Sequence, residues 1–74
     1  MELPIGEESR RLSKRELEVL AWTAVGRRQA DIAAALGLSI RTVENHLRRA
    51  RHRLGVATTA EAVRIAIRNG DIDG

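Results

Sequence analysis

Leu17, Leu20, Ala21 and Ala24 recur at i, i+3, i+4 and i+7, the spacing that lines one side of an α-helix. Just before them, Leu12-Ser13-Lys14-Arg15-Glu16-Leu17 predicts a helix start. Ser13 can cap the Glu16 amide, Glu16 can reach back to Ser13, and Leu12 can staple onto Leu17. Gly26 supplies a left-handed stop, so a first helix is expected over 14–25. A shorter apolar pattern, Ile32, Ala33 and Leu36, halts at Gly37 and predicts a second helix over 29–36. It holds only about two turns and needs neighbours to persist. Its start is weakly marked, because Arg28 stands where Ser or Thr would cap, although Asp31 suits the positive end of the helix dipole. Gly37-Leu38-Ser39 predicts a tight turn in which Leu38 plugs the corner and Ser39 caps the next helix.

A third helix is expected over 40–54, stopped by Gly55, and its two sides separate cleanly. Val43, Leu47, Ala50 and Leu54 fall within about 60° of one another and mark the buried stripe. Arg41, Glu44, Asn45, Arg48, Arg51 and His52 occupy the opposite arc. A fourth helix over 59–69 opens with the capping box Thr58-Thr59-Ala60-Glu61, carries Ala62, Val63, Ala66 and Ile67, and closes at Gly70. The pattern is all-α: four helices, the second and third joined as a helix-turn-helix.

Composition narrows what such a unit can do. A chain of 74 residues has room for one small domain, which buries only about 60% of the surface its unfolded form exposes. With no cysteine, disulfide frameworks, thiolate metal sites and thiol nucleophiles are excluded together. His46 and His52 lie six positions and about 120° apart on one helix, so they cannot chelate a single ion. There is no nucleophile–base pair and no Gly-rich phosphate loop. An enzyme is not expected, and neither is a catalytic residue, a metal or a cofactor. No apolar run is long enough to span a bilayer, so a soluble, cytoplasmic protein without membrane partners is expected.

The formal charge of +3 hides an uneven distribution. Glu2, Glu7, Glu8, Asp71 and Asp73 sit in the two tails, while all 13 basic residues between Arg10 and Arg68 face only Glu16, Glu18, Asp31, Glu44 and Glu61. Five arginines crowd into Arg41–Arg53. A solvated helix side would be the plainer reading of a charge run, but so lopsided a sign points to a polyanion. Arg, Asn and Glu are also the residue types that hydrogen-bond guanine, adenine and cytosine edges.

At this point the sequence resembles the LuxR/FixJ-type (GerE-like) DNA-binding domain of bacterial transcription regulators over about residues 12–72. The segments that carry the resemblance are Leu12-Ser13-x-Arg15-Glu16-x-Glu18-Val19-Leu20, Asp31-Ile32-Ala33-Ala34-x-Leu36, Ser39-Ile40-x-Thr42-Val43-x-Asn45-His46, Leu54-Gly55-Val56 and Glu61-Ala62-Val63. Trp22 in Val19-Leu20-Ala21-Trp22-Thr23-Ala24-Val25-Gly26 is similar to the acyl-homoserine-lactone-responsive, quorum-sensing branch; a half-buried packing Trp is the alternative.

The resemblance implies a four-helix domain whose third helix enters the major groove of double-stranded DNA and whose fourth mediates a homodimer on a two-fold site. It places Glu44 and Arg48 at base-reading positions with Asn45 beside them, and Arg41, Thr42 and Arg49 at backbone-binding ones; Arg28, Gln29, Ser39, Arg51 and His52 are further candidates for backbone contacts. Ala62, Ile65, Ala66 and Ile72 are the dimerisation candidates, although packing under the first helix accounts for some of them equally well. RNA polymerase is a further partner it implies; no small-molecule ligand is expected in this chain. Three positions depart from the family pattern. Glu44 stands where a cation is common and can either read a base or buttress Arg48 at i,i+4; Arg28 replaces a capping Ser or Thr; Lys14 replaces Pro at the first helical position. Residues 1–11 read as a flexible arm or trimmed linker and 12–74 as the domain. Two rival readings are a sigma-factor region-four domain, which Leu47-Arg48-Arg49-Ala50-Arg51 resembles, and a helical protein-interaction module. Sigma domains usually finish soon after the recognition helix, whereas Gly55-Val56 leads here into a capped fourth helix.

Overall fold

The computed structural model describes residues 11–73. The arm expected over 1–11, apart from Arg11, and the final Gly74 lie outside the described residues. Four helices lie among the described residues: α1 (Lys14–Ala24), α2 (Gln29–Leu36), α3 (Ile40–Leu54) and α4 (Thr59–Arg68). Among the described residues there is no strand. Helices α1 and α3 each pack against the other three, whereas α2 and α4 do not meet.

The punctuation expected from the sequence forms the helix ends. Ser13 Oγ accepts from the Glu16 N–H at 3.1 Å while the Ser13 N–H donates to Glu16 Oε1 at 3.0 Å, a complete capping box. Helix α1 stops one residue early: Val25 is its C-cap, with Gly26 beyond it at positive φ. Arg28 caps α2 without any side-chain hydrogen bond. Gly37 then takes φ +70°, which lets the Leu38 N–H reach back to the Ala33 carbonyl at 2.8 Å. This six-to-one bond turns the chain sharply into Ser39, whose Oγ accepts from the Thr42 N–H at 3.1 Å and begins α3. Thr58 and Glu61 form the second capping box, and α4 ends at Arg68 with Asn69 as its cap.

The core joins Leu12, Val19, Leu20, Ile32, Ala33, Val43, Leu47, Ala50, Ala62, Ala66 and Ile72. On α3 the buried residues are Val43, Leu47 and Ala50 of the expected stripe, with Leu54 packed against the cluster's edge. Helix α1 is rotated from the expected register. Glu16, Val19 and Leu20 are its buried residues, while Leu17, Ala21 and Ala24 are only partly covered. The cause is Glu16 itself: its carboxylate is drawn inward by the cap and by a partner on α3, and Val19 follows on the same side at i+3.

The C-terminal segment also folds inward. Past Gly70 the Asp71 N–H bonds the Ala66 carbonyl at 2.8 Å, and Ile72 is 8% exposed. Ala62 and Ala66 are fully covered by the same protomer. Three of the four expected dimerisation residues, Ala62, Ala66 and Ile72, are therefore part of the domain's own core. Ile65 is half-buried, and Ile67 is the large apolar side chain that α4 leaves exposed, at 38%.

Candidate nucleic-acid interface

Because Val43, Leu47 and Ala50 are committed to the core, the other side of α3 must face water. Arg41, Glu44, Arg48, Arg49 and His52 are exposed there, with Thr42 and Asn45 half-buried beside them. The helix-turn-helix corner adds exposed Arg28 and Gln29 at the start of α2 and exposed Ser39 at the start of α3. Ser39 and Thr42 are already joined, the Ser39 hydroxyl donating to Thr42 Oγ1 at 2.9 Å.

The five arginines of α3 divide into two groups. Arg41, Arg48 and Arg49 form no ion pair among the described residues, where the acid–base contacts are Arg15–Glu18 and Glu16–Arg53. Among the described residues no carboxylate pairs with them. Arg51 and Arg53 are instead attached to the fold. Arg51 Nη1 donates to Thr59 Oγ1 at 2.9 Å, binding the end of α3 to the start of α4. Arg51, expected at the DNA backbone, is thus half-buried and occupied, since the side chain that projects toward α4 finds an acceptor there. Arg53 is fixed through Nε to Glu16 and through Nη1 to the Arg11 carbonyl.

Between the two possible roles of Glu44 the geometry is specific. Arg48 Nη2 donates to Asn45 Oδ1 at 3.4 Å, a long hydrogen bond, while Glu44 makes no ion pair with Arg48. Asn45 is the side chain that steadies Arg48, and the exposed Glu44 has no ion-pair partner among the described residues. His46 is half-buried and its Nδ1 is shielded with no hydrogen-bond partner among the described residues, the environment of a packing residue. No group of three or more His, Cys, Asp or Glu among the described residues could hold a metal ion. Trp22 is half-buried, with the Arg27 guanidinium 6.0 Å from its ring centroid, within cation–π range.

The profile described as "Bacterial regulatory proteins, luxR family" matches residues 10–66, most of the chain. The chain belongs to the luxR family. It is 40% identical over 55 residues to the transcriptional activator protein EsaR of Pantoea stewartii subsp. stewartii, covering 74% of this chain and 22% of that protein. It is 42% identical over 62 residues to the transcriptional activator protein LuxR of Aliivibrio fischeri, covering 84% of this chain and 25% of LuxR. It is 39% identical over 64 residues to the HTH-type transcriptional activator RamA of Corynebacterium glutamicum, covering 86% of this chain and 23% of RamA. This luxR-family chain therefore spans about a quarter of the length of these relatives. The family is one of regulatory proteins rather than enzymes. No helix among the described residues is long and apolar enough to cross a membrane.

Sequence reasoning missed Arg53. A helical projection places it beside Arg49, but its partners Glu16 and the Arg11 carbonyl lie 37 and 42 residues away, beyond the reach of any local pattern.

Proposed function

We propose that this domain is the sequence-reading module of a cytoplasmic bacterial transcription regulator and binds double-stranded DNA with α3 in the major groove. The observation that carries this reading is the set of three uncompensated guanidiniums, Arg41, Arg48 and Arg49, on the solvent side of the helix whose other side builds the core. Helix α3 cannot rotate without exposing Val43, Leu47 and Ala50, so its outward side chains form a rigid reading head.

Within that head, Arg48 steadied by Asn45 suits a guanine edge, Asn45 itself an adenine edge, and Glu44 a cytosine amino group. Arg41 and Arg49 neutralise phosphates, with Arg28, Gln29, Ser39, Thr42 and His52 adding contacts that fix orientation without reading sequence. Arg51 is reassigned from phosphate binding to the α3–α4 contact. Two copies on a two-fold site would present their α3 helices about 34 Å apart. With Ala62, Ala66 and Ile72 inside the protomer, pairing would use Ile65 and Ile67 of α4, a small surface that relies on DNA to bring the copies together. A regulator bound this way would act on RNA polymerase at the promoter.

Selection of bound sequences from a randomised duplex pool, followed by affinity measurements over a salt series, tests the reading. The expected result is an enriched motif and a logarithmic affinity that falls linearly with the logarithm of salt. Absence of DNA binding at low salt would overturn it and favour a protein-interaction module.

A further inference from the structure

We propose that Arg53 is a pre-positioned phosphate-binding residue of the DNA interface, held in place by Glu16 of α1 and by the Arg11 carbonyl. This rests on the DNA-binding reading above and assigns that interface a residue and a support from outside the helix-turn-helix.

Arg48, Arg49, His52 and Arg53 together line a surface depression of about 290 Å³ on the C-terminal half of α3. The walls of the depression are mostly carbon, and Arg53 is the lining residue whose guanidinium is fixed by a carboxylate of another helix. Arg53 is anchored twice. Its Nε lies 3.3 Å from Glu16 Oε1, and its Nη1 donates to the Arg11 carbonyl at 2.9 Å. Both anchors leave Nη2 without a partner among the described residues.

The Glu16 carboxylate does not cancel this site. Its side chain is 2% exposed, whereas that of Arg53 is 33% exposed. The pair is a dipole with its negative end inside and its positive end at the surface, so an anion in the depression meets the guanidinium first. A fork already fixed at two nitrogens also loses less side-chain entropy on binding than a free lysine or arginine would. A DNA phosphodiester is the chemistry this arrangement fits: one negative group, delivered next to the exposed reading head.

Glu16 acts through Arg53 and is a positioning residue. The Arg11 carbonyl makes the point at which the chain enters the domain the second support, so the path of the incoming chain bears on the same phosphate seat.

The test uses the 74-residue chain and a short duplex of arbitrary sequence, read by fluorescence anisotropy over a salt series, with thermal melting of each variant alongside. Arg53→Gln is expected to weaken binding about tenfold at low salt and to lower the salt slope by about 0.9, the share of one phosphate contact. A folded Arg53→Gln protein with the wild-type slope would overturn the proposal and leave Arg53 a strut between helices. Removing the buried charge of Glu16 would by itself tighten DNA binding in any background. Against that common gain, Glu16→Gln is expected to give less favourable binding in the native background than in Arg53→Gln, the difference being the lost positioning of Arg53; equal effects in both would overturn the positioning role. Should Arg53→Gln fail to fold, the Nε–H resonance of Arg53 in the unaltered protein decides. It is expected to shift on adding duplex while that of Arg15, paired with Glu18 on α1, stays in place; an unmoved Arg53 resonance overturns the proposal. Failure of the unaltered chain to bind any duplex would instead overturn the DNA-binding reading, and this inference with it.

Discussion

Glu16 Oε1 lies 3.3 Å from Arg53 Nε and also accepts, at 3.0 Å, the backbone N–H of Ser13, so one buried carboxylate both caps α1 and fastens it to the last turn of α3. Removing it breaks two different contacts at once. Glu16→Ala forfeits part of the capping box, worth about 1 kcal/mol, and leaves the Arg53 head without its ionic partner. Because Arg53 is partly solvated, the second loss falls below that of a fully buried pair, and a total destabilisation of about 2 kcal/mol is expected. Glu16→Gln keeps an acceptor for the cap and should cost about half as much. Midpoints of urea unfolding at a common slope measure both; equal stability of Glu16→Ala and the parent would mean that the pair contributes nothing.

The two exposed arginines next to each other on α3 should fail differently. Arg48 is braced by Asn45, whereas Arg49 has no side-chain partner among the described residues. Arg48→Ala is expected to flatten discrimination among operator variants, with about 1–3 kcal/mol lost at one base position. Arg49→Ala should weaken all duplexes alike and lower the salt slope by about 0.9. Affinities for a panel of single-base variants at two salt concentrations separate the two; identical behaviour would remove the distinction between reading and positioning.

What the sequence makes legible and what it hides divide along sequence distance. Ser13, Ser39 and Thr58 reveal their helix starts because a cap involves residues three apart, and Gly37 and Gly55 reveal the stops for the same local reason. The inward stripe of α3 is legible because a 15-residue helix repeats its pattern over four turns. In α1 that periodicity misleads, since Leu17, Ala21 and Ala24 compete with a buried Glu16 whose reason for burial lies on another helix. Arg51 and Arg53 carry the same charge as Arg48 and Arg49, and only the positions of Thr59 and Glu16 separate anchored guanidiniums from unanchored ones. Small residues on α4 read equally well as a subunit contact or a close helix crossing, and the backbone bond from Asp71 to Ala66 that turns Ile72 inward leaves no compositional trace.

Acid should loosen the start of α4 through Glu61. Its carboxyl is held below its usual value of 4.5 by the Thr58 hydroxyl first, then by the Thr58 and Ala57 backbone N–H groups. A carboxyl with a lowered folded value contributes stability that is present above the unfolded value and is lost as pH falls through the folded one. The loss attributable to this cap therefore begins below about pH 4.5 and is complete only under more acidic conditions. Glu61→Gln should be less sensitive to pH in that window while matching the parent's fold at neutral pH. Circular dichroism melts across the acidic range report it, and parallel curves for the two proteins would contradict the assignment.

Gly37 sets the angle at which α3 leaves α2. At φ +70° its backbone lies in the left-handed region, yet a Cβ placed there would meet nothing within 4 Å. The cost of Gly37→Ala is consequently conformational alone, about 1 kcal/mol, which for a domain of this size lowers the melting midpoint by about 4–8 °C. Gly37→Asn, which tolerates the left-handed region better, should recover part of the loss. Equal midpoints for Ala and Asn would show that steric contact rather than backbone strain governs the turn.

Adjacent residues on α4 separate core packing from pairing between copies. Ala66 is fully buried in the core, so Ala66→Leu forces extra methylene groups into a filled space and should destabilise the protomer by about 1–3 kcal/mol. Ile67 is 38% exposed and supports no part of that core, so Ile67→Ser should leave unfolding within about 0.5 kcal/mol of the parent. If Ile67 meets its counterpart across a two-fold DNA site, the same substitution must reduce cooperativity between half-sites while leaving affinity for a single half-site intact. Titrations of one-half-site and two-half-site duplexes measure the two quantities side by side. Undiminished cooperativity in Ile67→Ser would exclude the exposed side of α4 as the pairing surface. Loss of single half-site binding would instead place Ile67 within the support of the reading head.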